Sequence, residues 1–184
     1  MPLQFVLQFP GEEIAALAAR FGDTDDEACR RAGAAARARR RYTRGEFLLL
    51  CAWKSARSRP LVAANSPAAI GRATRAAFAV TDEGVRIQAL LALEGVGVPT
   101  ASVLLHFAQP GDYPILDVRA LESLGVKGRS VYPVAFWLAY LAACRDLATR
   151  HGVSLRTLDK ALWQHSKERA AMTSGVIAAR TRRR

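Results

Sequence analysis

Cysteine is scarce in this sequence: Cys29, Cys51 and Cys144 lie far apart and are odd in number. That count excludes a disulfide framework and any four-cysteine iron–sulfur or zinc site. Cys51 and Cys144 sit among apolar residues and read as core thiols of a reducing compartment. Histidine is as sparse, and His106, His151 and His165 show no metal-ligand spacing. No apolar run reaches the ~20 residues of a membrane span, and no basic stretch followed by an apolar core opens the chain. Acidic residues are also few, 16 against 27 Lys plus Arg, a formal charge of +11. The expected protein is therefore a cytoplasmic monomer that spans no membrane, with a polyanionic partner: nucleic acid ahead of a membrane surface. Solvated faces written with arginine would give the same surplus.

What is present is globular: 184 residues, 51% hydrophobic and 23% charged, enough for one compact core or two small lobes. Almost every segment reads at helical period and strand-like alternation is rare, which makes the class all-α. Helices are expected at 11–21 and 24–41. The capping box Thr43 to Glu46 opens another through Ser58. Ser66 as cap with Pro67 at the first helical position starts one to Val80, and Thr81 to Glu83 cap one to Leu93. Further helices are expected at 98–108, 117–125, 131–150 and 154–168, with a loop from Gln109 to Pro114. Residues 1–178 read as a single unit and 179–184, "ARTRRR", as a disordered basic tail.

The chemistry concentrates in "LLALEGVGVPTASVLLHFAQPGDYPILDVRAL", residues 90–121. Gly95-Val96-Gly97 joins two apolar helices. Its glycines permit a sharp turn and leave bare N–H groups, while the next helix starts at once with its unpaired amides facing the same way. Such a turn is either a packing turn or a phosphate seat that reads no sequence. Asp117 follows within "YPILDV", with two possible roles: cap of the next helix, or a carboxylate whose field is strengthened by apolar neighbours.

This stretch resembles the helix–hairpin–helix, Gly/Pro-rich loop and Asp of the base-excision DNA glycosylase superfamily, to which endonuclease-III-like and adenine-mismatch glycosylases belong. Leu93, Gly95-Val96-Gly97, Thr100-Ala101, the Gly/Pro loop and "PILD" agree together, and Asp117 falls 18 positions after Pro99. More weakly, "FLLLCAWKSAR" (Phe47 to Arg57) resembles the family's early helix, with Arg57 where a DNA-entering Gln would stand. The resemblance implies a two-lobed all-α fold without an iron–sulfur cluster, whose hairpin and acid loop occupy 82–125. It implies excision of a damaged, mispaired or modified base from double-stranded DNA, with Asp117 catalytic. Gly95, Gly97 and Thr100 would hold a phosphate, and the carbonyls of Leu91, Leu93 and Val96 a monovalent cation; no other cofactor is implied.

Departures from the family carry information. Pro99 stands where bifunctional members have a Schiff-base lysine, so the implied activity is monofunctional, without the lyase step. Glu122 replaces an Arg five places after the acid, while Arg119 comes two places after it. Lys54 and Arg57, one turn apart on the expected helix, are either a base contact and a wedge in the cleft or the polar end of a buried helix. Tyr113 either lines the pocket or packs beside it; His106 and Trp53 read as core. The alternative function is a noncatalytic helix–hairpin–helix DNA-binding protein in which Asp117 only caps.

Overall fold

The computed structural model of the protein describes residues 4–22 and 26–181, and the side chains of those up to 173. Among the described residues the regular structure is helical and no strand occurs, in agreement with the all-α expectation. The helices are α1 (Ile14–Arg20), α2 (Glu27–Arg39), α3 (Arg44–Lys54), α4 (Arg59–Ala63), α5 (Pro67–Ala79), α6 (Glu83–Leu91), α7 (Val98–Ala108), α8 (Val118–Ser123), α9 (Val134–Arg150) and α10 (Leu155–Thr181).

The caps are where the sequence places them. Thr43 and Glu46 form a reciprocal capping box at α3, the Thr43 N–H donating to Glu46 Oε2 at 2.8 Å. Ser66 accepts from the Ala69 N–H at 3.2 Å, and Asp82 from the Val85 N–H at 2.7 Å. Each satisfies an amide that the helix itself cannot pair.

Two boundaries differ from expectation by more than three residues. The helix expected through Ser58 ends at Lys54, because Ser55 is extended (φ −159°, ψ 109°). A 3-10 turn at Ala56–Ser58 follows, and the chain restarts as α4 with Pro60 in its first turn. Pro60 has no N–H to carry a helix on from Ala56, and it stands in the first turn of α4, where none is needed. At the other end α10 runs past 168 to Thr181; residues 182–184 of the expected basic tail lie outside the described residues.

Helix α7 is the centre of the packing. Apart from Pro99, every residue from Val98 to Ala108 is buried, as an apolar-all-round helix must be. Helices α2 and α3 pack on α7, and α5 on α6; α1 and α8 each pack on α10, while α9 touches α6 and α10. The N-terminal segment docks beside the end of α8, where the Val6 and Gln8 N–H groups donate to Leu124 O (3.1 Å) and Ser123 O (2.9 Å).

Candidate active site

The turn between α6 and α7 is held from below. The Val96 N–H donates to Leu93 O at 3.1 Å, so one of the three carbonyls expected to hold a cation already accepts a bond. Gly95 adopts φ +73°, and a Cβ there would lie 2.7 Å from Leu61 Cβ and 2.9 Å from Val62 N. Conformation and space both demand glycine. Gly97 is different: its φ is −93° and an added Cβ would meet only Pro99 Cδ, at an ordinary 3.7 Å. It is exposed and begins α7 without a side-chain cap, while the Thr100 side chain turns into the core. The turn thus offers main-chain groups over a face kept low by glycine.

Buried Asn65 clamps this turn. Its Oδ1 accepts from the Glu94 N–H (2.9 Å), and its Nδ2 donates to Glu94 O (2.9 Å) and Val62 O (3.0 Å). Sequence reasoning missed it. An Asn ahead of a Ser–Pro cap looks like local turn chemistry, and nothing near it announces a partner 29 residues on.

Asp117 is positioned by the segment leading to it. His106 Nδ1 donates to Tyr113 O at 2.8 Å, Tyr140 donates to Ile115 O at 2.9 Å, and the Leu116 N–H donates to Ser102 Oγ at 2.9 Å. Three of the four residues ahead of the acid are therefore fixed to α7 or α9. Asp117 itself caps α8, with Oδ1 accepting from the Arg119 N–H at 2.9 Å, and Oδ2 accepts from Lys54 Nζ at 2.8 Å. Capping and the ion pair use different oxygens, so both roles coexist. The acid is less desolvated than the apolar context suggested: its side chain is 31% exposed against 11% for Lys54, and Val118 is exposed.

The pair lies on the wall of a cavity of about 250 Å³ lined by Phe21, Trp53, Lys54, Ile115, Asp117, Arg156, Asp159 and Trp163. Three of these come from α10, which the sequence marked only as an expected helix over 154–168. A signal was available: Asp159 interrupts the buried stripe of Leu155, Leu158, Leu162 and Ser166. Its carboxylate accepts from Arg156 at 2.6 Å, and Arg156 also pairs with buried Asp26. Burial pushes the Asp159 carboxyl up to about 6, against the pull of Arg156 and Lys54 and with a further push from Asp117.

The remaining candidates separate. Arg57 is exposed on the 3-10 turn and does not continue the helical face of Lys54, since the helix breaks between them. Tyr113 is buried outside the cavity; its hydroxyl donates to Glu83 at 2.9 Å and its ring lies under Arg86 and Arg145. Burial pushes that hydroxyl upward, and its role is to brace the loop. His106 is a core histidine, held down to about 4 by burial. Trp53 is half-buried, edge-on to Phe107, and also walls the cavity. Glu122 accepts from Ser166 and Arg119 lies over Trp163. Among the described residues, no group of three His, Cys, Asp or Glu could hold a metal ion. Comparison with protein-family models, curated proteins and solved structures returns no match.

Proposed function

We propose that the protein is a monofunctional, two-lobed helix–hairpin–helix DNA glycosylase that cleaves the N-glycosidic bond of a flipped base in duplex DNA. The observation that carries this reading is the Lys54–Asp117 pair on the cavity wall, with the acid 18 positions after Pro99 of a glycine hairpin. The cavity has room for a single planar group rather than a polymer, which suits a base taken out of the stack. As the base departs, positive charge grows on the sugar, and a carboxylate close to the anomeric carbon stabilises it. Asp117 supplies that carboxylate and takes the proton of the water that adds to C1′. Lys54 is a positioning residue that fixes Oδ2. Gly95, Gly97 and Thr100 offer main-chain groups to one phosphate, and the +11 charge draws the duplex in. The carbonyls of Leu91, Leu93 and Val96 are the place for a monovalent cation in this reading.

Release of free base from a panel of modified and mismatched duplexes tests the proposal. Asp117→Asn keeps the shape and a capping oxygen but removes the charge, so it is expected to abolish release while duplex affinity stays within about twofold of wild type. The second reading, a noncatalytic DNA-binding protein, is favoured by the full use of Asp117 as cap and ion-pair partner. It predicts no release by wild type and only a loss of stability in the variant.

A further inference from the structure

We infer that Asp159 is the proton donor to the departing base, so that the pocket takes an uncharged base and rejects a cationic, N-alkylated one. The inference rests on the glycosylase reading and adds a substrate class and a second catalytic residue to it.

The arrangement of charge is the first ground. Asp117 faces Lys54 and is a third exposed, whereas Asp159 is 7% exposed on the same cavity. Its cation, Arg156, is divided between Asp159 and Asp26, so Asp159 commands only part of one guanidinium. The groups facing it are Arg156 on its own helix, which Asp26 ahead of α2 meets from the other side, Lys54 on α3, Asp117 ahead of α8, and Tyr140 and Cys144 on α9. Tyr140 and Cys144 are buried and pushed far upward, which leaves them neutral. The cavity thus holds two carboxyls in unlike surroundings, one shallow and paired with a lysine, one deep and sharing its arginine with a second acid.

The aromatic walls are the second ground. A cationic base is recognised by bare aromatic faces. Here Trp163 carries Arg119 and Lys167, each 5.2 Å from its ring centre, and Phe21 carries Arg156 at 5.7 Å and Lys160 at 5.6 Å. The chain's own cations occupy these two of the three aromatic walls, the third being Trp53, edge-on to Phe107, and Lys54 and Arg156 add repulsion. A cationic base needs no acid to leave; an uncharged one does.

The step balances. The C1′–N bond breaks with its electron pair passing to the base, and the Asp159 proton goes to a ring nitrogen, so the base leaves neutral. Water adds to C1′ and its proton passes to Asp117. Proton exchange with solvent then restores both acids.

Single-turnover release is to be measured from duplexes carrying hypoxanthine, uracil or mismatched adenine, and from one carrying 7-methylguanine, between pH 5 and 8. Expected are release of at least one uncharged base with 7-methylguanine retained, and a rate that falls roughly tenfold per pH unit above the Asp159 transition. Asp159→Asn is expected to lose ~10²-fold or more and the pH dependence with it, at unchanged duplex affinity. A carbon-13 NMR titration of the wild-type aspartates provides a readout that needs neither activity nor a folded variant: one carboxyl is expected to titrate near 6. Preference for 7-methylguanine, a pH-independent rate, or no aspartate titrating near 6 overturns the inference while Asp117-dependent release leaves the glycosylase reading standing. No release from any duplex overturns both.

Discussion

At the scale of single residues, the two glycines of the hairpin show how alike letters hide different causes. Gly95 is required by a left-handed backbone and by the approach of Leu61 and Val62; Gly97 is required by neither. Gly95→Ala is therefore expected to lower folding stability by about 2–5 kcal/mol. Gly97→Ala is expected to stay within ~1 kcal/mol of wild type in urea melts yet bind duplex DNA more weakly, because a methyl group then stands between the turn and a phosphate. Equal melts for the two variants would contradict the first cause, and undiminished binding by Gly97→Ala the second. The turn and Asp117 were legible because a contiguous stretch of residues specifies them. Asn65 and Asp159 were not: Asn65 meets Glu94 29 residues on, Asp159 meets Lys54 and Asp117 only across the fold, and a polar residue in an apolar stripe does not say what it faces.

At the scale of elements, helix starts were legible wherever a side chain caps the next residues, at Thr43, Ser66 and Asp82. The α3–α4 break at Ser55 was not read, and the misreading put Arg57 on the face of Lys54. The contact between α7 and the acid loop carries a pH signature. His106 is held at about 4, below its ordinary 6.5, so the stability it contributes is full above pH 6.5 and is lost as pH falls through 4. Asp159 is raised to about 6, so its contribution is full below its ordinary range and is lost as pH rises through 6. The two slopes oppose each other between about pH 4 and 6. His106→Gln removes one of them, and its urea midpoint is expected to fall from pH 4.5 to 6.5 more steeply than that of wild type. Parallel profiles would show that His106 is not buried in its neutral form.

At the scale of the whole molecule, the cavity is assembled from α3, the residue after α1, the segment before α8 and one face of α10. Helical class, capping and the charge surplus follow from local pattern and composition and were legible; the meeting of Lys54 with Asp117 depends on how α3 crosses α7, which no local pattern encodes. That meeting is the core of the proposed chemistry, and it also provides the one side chain able to change it, since an amine beside the acid could form an imine where Pro99 cannot. The most direct measurement follows one duplex that the protein processes, scoring free base, strand integrity before and after alkali, and adducts trapped by borohydride. The account predicts released base, a strand that breaks only after alkali, and no trapped protein. No base released from any duplex, or a trapped adduct that disappears in Lys54→Ala, would contradict it.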